Sequence, residues 1–377
     1  MSTDKKEFIY LDNSATTPLY PEVLEAMLPY LTTSYGNPSS LHPLGREAHN
    51  AIEHSRQIIA SLINAEPSEI FFTSGATESN NWVFQINAQK KCLCMALEHA
   101  SVYNQPNLSM FNVSEEGFID KVMLGYTLMD NSFSFLSTML ANNEIGSIQD
   151  IQSIGDLCYR NLIKYHVDAT QGLCYIPVDV KKMHIDYLSG SAHKVHGPKG
   201  VGFLYINKER NLDISQLFYG GDQEQGLRPG TENVAGIVGF GKAVEIMMER
   251  REKDLEKLEK LRNYMHFQLM NNLDDVDLNG TPDFERRLPG NLNYCFKDIK
   301  ADELVEMLAE NGVYCSAGSA CHSGNGKPSH VLKAIGLSDK DAMSSVRFSL
   351  GADLEKEDID HVVKSLIECV DVLRKYI

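Results

Sequence analysis

The sequence predicts an α/β fold: a mostly parallel sheet, followed by a smaller α/β unit. Three observations lead there. Short apolar runs alternate with segments of helical period. Several of those runs end in residues that carry chemistry, as in Leu97-Glu98-His99, Tyr165-His166-Val167-Asp168 and Leu188-Ser189-Gly190-Ser191. A long helical segment from Val234 to about Asn271, with no Pro and no Gly after Gly241, then separates two regions of shorter elements.

Taken in order, Pro21 to Leu31 reads as a short helix with Pro in its first turn. Gly45 to Asn64 is a clearer helix, because Ala48, Ile52, Ile59, Leu62 and Ile63 fall near one face. Ile70-Phe71-Phe72 is a short strand that breaks at Thr73-Ser74-Gly75-Ala76-Thr77, with a helix from about Glu78. Further strands are expected at Cys92–Leu97, Phe133–Leu140, Tyr165–Asp168, Tyr187–Ser189 and Val201–Ile206. The centre of the long helix, Glu249 to Lys257, mixes both signs of charge and reads as a solvated face laced with i,i+4 pairs. That helix is expected to leave the first domain. Beyond it, strands fall near Asn291–Phe296, Val313–Ser316 and Val346–Ser349, and helices near Asp302–Asn311 and Asp358–Tyr376.

Composition narrows the function classes. A chain of 377 residues can bury a large core and form two domains. Its net charge of −16 argues against nucleic acid, whose backbone is bound by clustered Lys and Arg. No apolar run approaches a membrane span. The start, Met1 to Glu7, lacks the apolar stretch of a signal peptide, so the expected compartment is the cytoplasm. The eight cysteines are scattered and do not read as a disulfide framework; most read as buried thiols. Cys92-x-Cys94 has poor ligand spacing for zinc and no second pair, so no metal site is expected.

The candidate site centres on Lys194, in Ser191-Ala192-His193-Lys194. With Asp168 at the end of an earlier run, it forms the pair a pyridoxal phosphate enzyme needs. The lysine would hold the cofactor aldehyde as a Schiff base, and the carboxylate would keep the pyridine nitrogen protonated. Gly75, Ala76 and Thr77 at a strand-to-helix turn would cradle the phosphate on backbone N–H groups. Alone, that turn reads equally as plain helix capping. Ser191 and His193 could also reach the phosphate, Gln171 the phenolic oxygen, and His99 the face of the ring. Asn143, within Asn142-Asn143-Glu144-Ile145-Gly146, could bind a substrate carboxylate or the cofactor edge. Arg347 lies among strand residues, where its planar fork needs an anion: either a carboxylate ligand or a structural salt bridge. Thr231 sits in a loop before the long helix and could serve a phosphate in a neighbouring subunit. Cys321 lies in the Gly- and Ser-rich run Ser316 to Ser329, a poor place to bury a thiol, and reads as a reactive thiolate near His322 and Lys327. Cys315 looks like its buried counterpart.

Assembled in order, these motifs resemble the cysteine desulfurases, specifically the NifS/IscS-type branch. The match runs from Tyr10-Leu11-Asp12-Asn13-Ser14-Ala15-Thr16-Thr17-Pro18 through Gly36-Asn37-Pro38-Ser39-Ser40, Ser74 to Asn80, Asn142 to Gly146 and Gly318-Ser319-Ala320-Cys321, to Val346 to Gly351. The resemblance implies a homodimeric fold-type-I pyridoxal-5′-phosphate-dependent transferase. It implies a large domain over 15–255 with a mostly parallel seven-stranded sheet. A smaller α/β domain would comprise 1–14 and 256–377 and carry the cysteine loop, about 316–329. Lys194 and His99 would match the family's Schiff-base and ring-stacking residues, and Asp168 and Gln171 the pyridine and phenolate partners. Thr77, Ser191, His193 and the other subunit's equivalent of Thr231 would match the phosphate ligands. Asn143 and Arg347 would bind the carboxylate of L-cysteine, and Cys321 would accept its sulfur, leaving L-alanine. A sulfur-acceptor protein, an iron–sulfur cluster scaffold or a tRNA-thiolation enzyme, would take the persulfide. The chain departs from the family pattern at His322 and at Gly326-Lys327-Pro328-Ser329. An aminotransferase on the same fold would need Lys194 and Asp168 but no thiol. A non-catalytic sulfur-carrier subunit would show a damaged cofactor site, and the sequence shows none.

Overall fold

In a computed structural model of the chain, residues 8–130, 132–212, 214–318 and 327–375 are described. Strand β1 (Ile9–Tyr10) leads to helix α1 (Pro21–Thr32), which starts on Pro21, and to α2 (Pro43–Leu62). Helix α2 buries Ala48, Ile52 and Ile59 on its inner face, and His42 Nδ1 caps it by accepting the Gly45 N–H. Next come β2 (Ile70–Thr73), α3 (Ala76–Ile86), β3 (Cys92–Met95), α4 (Ala100–Tyr103) and β4 (Leu108–Phe111). They are followed by α5 (Lys121–Met129), β5 (Phe135–Met139), α6 (Ile151–Arg160), β6 (Lys164–Asp168), β7 (Tyr187–Ser191) and β8 (Gly202–Ile206).

These strands form a seven-stranded sheet in the order β2-β8-β7-β6-β5-β3-β4, parallel except where β8 runs against both neighbours. The central strands are buried throughout, as continuous apolar runs in a doubly covered sheet require. Crossover helices cover it, so the carboxyl ends of β3, β5, β6 and β7 open on one edge. The mostly parallel α/β sheet expected from the sequence is the one observed.

Helix α7 (Val234–Asn272) spans two hydrophobic cores. Ile237, Phe240, Val244 and Met247 pack with the large sheet. Leu258, Leu261, Met265 and Leu269 pack in a second core with Leu292, Phe296 and Phe348. The helix thus crosses between cores through the charged stretch Glu249 to Lys257. The remaining elements are β9 (Val276–Leu278), β10 (Asn291–Phe296), α8 (Ala301–Glu310), β11 (Val313–Tyr314) and β12 (Ser316–Ala317). After them come α9 (His330–Ala334), α10 (Asp339–Met343), β13 (Ser345–Ser349) and α11 (Lys356–Arg374). An antiparallel sheet β12-β13-β10-β9 lies in this region, and Ile9 and Leu11 join its core. Val331, Leu332, Ile335 and Ala342, by contrast, pack into the core of the large sheet.

One expected strand is divided. Val313-Tyr314 pairs with β1, Ser316-Ala317 pairs with β13, and Cys315 sits where the chain changes sheets. Among the described residues no helix is long and apolar enough to cross a membrane.

The α6 face packs closely against the loop that follows Val180. A Cβ at Gly155 would stand 1.9 Å from the Met183 carbonyl oxygen, a backbone atom with no rotamer to move. Gly155→Ala should therefore destabilise the protein by about 1–3 kcal/mol. The check is the urea unfolding midpoint, and an unchanged midpoint would mean that the Met183 segment yields freely.

Candidate active site

At the open edge of the sheet lies a cleft of about 550 Å³. The turn after β2 supplies its first wall. Gly75 sits at φ +155°, a backbone conformation that L residues rarely adopt, and starts α3 with no side-chain cap. The α3 N–H groups at Ala76 and Thr77 therefore face the cleft as an anion cradle. Glu78 is tied down by Arg228, whose Nε and Nη2 donate to its carboxylate at 2.8 and 3.2 Å. Gly75 lies near Ser191 at the end of β7.

Asp168 ends β6 and is buried. Its carboxylate accepts from Asn80 Nδ2 at 2.8 Å and from the Thr170 N–H at 2.9 Å. The same Asn80 amide donates to Ser101 Oγ, and Ser101 Oγ lies 2.8 Å from His99 Nδ1. His99 also caps α4, its Nδ1 accepting the Ser101 N–H. A single relay thus fixes both the imidazole and the carboxylate. Behind Asp168, His166 sits between the hydroxyls of Ser137 and Ser189, and burial holds it down to about 4, so it is uncharged.

Lys194 leaves the turn after β7 and donates to the carbonyls of Ser14 (2.5 Å) and Ala15 (2.7 Å). Gln171 Nε2 donates to the Ser14 carbonyl at 3.0 Å. His193 Nδ1 lies 3.2 Å from Thr16 Oγ1, and burial, with Lys194 and Lys199 adding repulsion, holds the imidazole down to about 4. The segment Ser14 to Thr16 therefore lines the cleft. The sequence offered this stretch as part of a motif, but its work is done by backbone carbonyls, which leave no side-chain signature. Asn80 and Ser101 were missed for a similar reason: they act through Asp168 and His99.

Asn142 and Asn143 separate in role. Asn142 is buried and builds the turn, its Oδ1 accepting the N–H groups of Glu144 and Ile145. Asn143 lines the cleft. Arg347, on β13, reaches the same cleft from the second core while only 1% exposed. Its Nη2 donates to Asp12 at 2.6 Å, its Nη1 lies 3.4 Å from the Asn143 carbonyl, and its Nε has no partner among the described residues. The structural salt bridge read from the sequence is present, and the same arginine also lines the cleft.

Thr231 is exposed and does not line this cleft. Its loop is pinned by Glu224, whose carboxylate accepts from Arg56 Nη1 and Nη2 at 2.8 and 2.7 Å and from the Phe72 N–H. Glu224 and Gln225 hold left-handed φ angles of +49° and +60°. Cys321 and His322 lie outside the described residues. Cys315 is half-buried, and burial pushes its thiol up.

A parallel sheet with a phosphate-type cradle, a lysine and a donor-held carboxylate at its carboxyl edge defines a fold-type-I pyridoxal phosphate enzyme. The chain belongs to the aminotransferase class-V family, whose pattern matches residues 9–362. It is 42% identical to a cysteine desulfurase IscS of Clostridium botulinum, over 97% of this chain and 95% of that one. A solved NifS-like protein superposes with a TM-score of 0.88 at 35% identity, covering 97% of this chain and 100% of the other. A structure described as SspA in complex with cysteine gives a TM-score of 0.78 at 35% identity over 91% of this chain and 99% of that one.

The Arg56–Glu224 pair is nearly inaccessible on both sides, and breaking it leaves Arg56 with the partly exposed Glu53 as its other carboxylate partner among the described residues. Glu224→Gln should cost on the order of 3 kcal/mol and loosen the loop that carries Thr231. Denaturant unfolding, with proteolysis at that loop, reads both. A variant as stable as the parent would show that solvent already reaches the pair.

Proposed function

We propose that this chain is a pyridoxal-phosphate-dependent cysteine desulfurase. It takes sulfur from L-cysteine onto Cys321 and releases L-alanine. The observation that carries the reading is convergence: an anion cradle, a lysine, a donor-held carboxylate and a buried arginine meet at one cleft. Names of relatives at about 40% identity over nearly the whole chain support the same activity.

The donor set fits the cofactor. Ala76, Thr77, Ser191 and His193 would hold its phosphate, Gln171 its phenolic oxygen, Asp168 its ring nitrogen, and Lys194 its aldehyde. When bound, the cofactor supplies an electron sink for the pair left at an amino acid's α-carbon. The protein supplies everything else. Asp168, fixed by Asn80 and Thr170, keeps a proton at the ring nitrogen. His99, fixed by Ser101, would cover the face of the ring. Lys194, steadied by the Ser14 and Ala15 carbonyls, takes the α-proton. Arg347 and Asn143 hold the substrate carboxylate, with Asp12 keeping the guanidinium in plane. The Cys321 thiolate forms the new S–S bond as the substrate C–S bond breaks; the C–S electron pair stays with the carbon, which takes up a proton and leaves as L-alanine. The persulfide then passes to an acceptor protein, for iron–sulfur cluster assembly or tRNA thiolation.

The enzyme works as a homodimer in the cytoplasm. An exposed Thr231 on a pinned loop suits a phosphate ligand offered to the partner subunit. Residues 15–255 form the large domain and 1–14 with 256–377 the small one, from which Val331, Leu332, Ile335 and Ala342 reach back into the large core.

The purified protein, given the cofactor, a thiol reductant and L-cysteine, should yield alanine and sulfide in equal amounts. Cys321→Ser should keep the cofactor's absorption and lose sulfide release. Normal turnover by that variant would remove Cys321 from its role. Cofactor colour with keto-acid dependence and no sulfide would select an aminotransferase instead. Lys194→Ala should abolish the covalent cofactor absorption.

Arg347→Ala removes charge-assisted hydrogen bonds, each worth about 1.5–3 kcal/mol, so kcat/KM for L-cysteine should fall roughly 10- to 100-fold. Most of that loss should appear in KM. A loss confined to kcat would place the arginine elsewhere in the reaction.

A further inference from the structure

Glu98 stands between Leu97 and His99, just beyond β3, and none of the roles above uses it. Its side chain is completely enclosed, at 0% exposure. Neither carboxyl oxygen has a hydrogen-bond partner among the described residues. Its main chain, by contrast, is fully engaged: the N–H donates to the Met95 carbonyl, and the carbonyl accepts from His330 Nε2 at 2.9 Å. A carboxyl group held this way has a fixed place and nothing to stabilise an anion.

Its neighbours make an anion there still less favourable. The titratable groups around it are Cys94 on its own strand, Asp168 and Tyr165 from β6, His330 from α9, and His99 beside it. Burial pushes the Cys94 thiol and the Tyr165 hydroxyl up, so both are uncharged. The charge that acts on Glu98 is another carboxylate, Asp168. The Met139 amide offsets this slightly, without forming a hydrogen bond of normal geometry. Burial first, and Asp168 second, hold Glu98 well above the usual carboxylate range.

Two carboxyl groups in a shared low-dielectric pocket do not both ionise. Hydrogen-bond donors decide which one carries the charge. Asp168 has two, Asn80 Nδ2 and the Thr170 N–H, and Glu98 has none among the described residues. We propose that Glu98 is a positioning residue: an un-ionised carboxylic acid that leaves Asp168 as the one negative charge behind the cleft. The consequence for the reaction rests on the reading of Asp168 as partner of the cofactor's ring nitrogen. With Glu98 uncharged, Asp168 is the carboxylate left to face that nitrogen.

The state of Glu98 can be tested on the protein without cofactor. Infrared difference spectra at neutral pH should show the carbonyl band of an un-ionised carboxylic acid in the parent, missing in Glu98→Gln. Should that variant fold poorly, the parent grown with carboxyl-13C glutamate must show the same band shifted by the label. No such band in the labelled parent overturns the proposal.

Thermal unfolding against pH gives a second readout, with a defined sign. A carboxyl raised in the folded state stabilises the fold fully below the ordinary glutamate value of about 4.3, and that contribution is lost as pH rises through the folded value. The Tm of Glu98→Gln should therefore overtake that of the parent as pH climbs from about 4.5 to 8, by several degrees, and converge with it in acid. A Tm difference between variant and parent that stays the same from pH 4.5 to 8, or that moves in the parent's favour as pH rises, would overturn the proposal.

In the loaded enzyme, Glu98→Gln should keep the cofactor's absorption maximum and bind it within about threefold of the parent. A shifted maximum would show that charge on Glu98 reaches the ring. If Asp168→Asn left cofactor binding unchanged, the role of Asp168 would fall, while the infrared result for Glu98 would stand.

Discussion

Across the central sheet Met139 pairs with Asp168, and Asp168 pairs with Ser189, all in parallel. That register decides where the functional side chains fall. Parallel strands that start at one edge end together at the other, and each hands its next residues to the same edge. So β3 delivers His99, β5 delivers Asn143, β6 delivers Asp168, and β7 delivers Ser191 to Lys194. The helix dipole adds the remaining element, since α3 begins at that edge with its N–H groups unspent. A slip of one residue in β6 would turn Asp168 to the opposite face and away from Asn80.

The cleft is closed by contacts between segments distant in sequence. Ser14 and Ala15 follow a strand that packs in the second core, yet their carbonyls hold Lys194. Asp12, from the same segment, holds Arg347, and Ser349 Oγ accepts the Ser14 N–H. The N-terminal stretch thus couples the lysine of one core to the arginine of the other. Glu144 does the same from the large sheet: its carbonyl accepts from Asn291 and Asn293, and its carboxylate accepts from Ser329. Substrate would lie between groups whose spacing is set by these few hydrogen bonds, which favours a preorganised site over one assembled on binding.

Much of this was legible in the chain. Buried parallel strands are continuous apolar runs, and the residue ending each run is at a site edge almost by definition. Hence Asp168 and Lys194, and with them His99, could be named as candidates from their combination at the ends of such runs. What escaped was whatever depends on tertiary partners. Asn80 looks like an ordinary helix residue until its amide is seen shared between Asp168 and Ser101. Strand β4 is half-buried and α5 leaves Val122, Met123, Tyr126 and Met129 exposed, so neither carries a clean period. Helix α6 does carry one, at Ile151, Ile154, Gly155 and Cys158, and was simply not read. The division of Val313 to Ala317 between two sheets has no local signal, because it is pairing partners, β1 and β13, that separate the two halves. Arg347 showed its need for an anion but not which anion.

That last ambiguity resolves in the guanidinium's geometry. Five N–H donors in a rigid plane allow one edge to be spent and another kept. Asp12 takes Nη2 at 2.6 Å, and Asp12 is itself partly accessible, at 18%. The arginine is therefore neutralised enough to be buried, which it could not be as a lone cation. Its Nε stays without a partner among the described residues, and Nη1 makes only a long contact to the Asn143 carbonyl. A carboxylate arriving in the cleft meets donors that are already desolvated and already aimed, so it pays no cost for stripping or turning them. A lysine at this position would spend its point charge on Asp12 and retain no second, fixed edge. The salt bridge and the carboxylate site proposed for Arg347 would for this reason be one device: the first makes the second physically tenable.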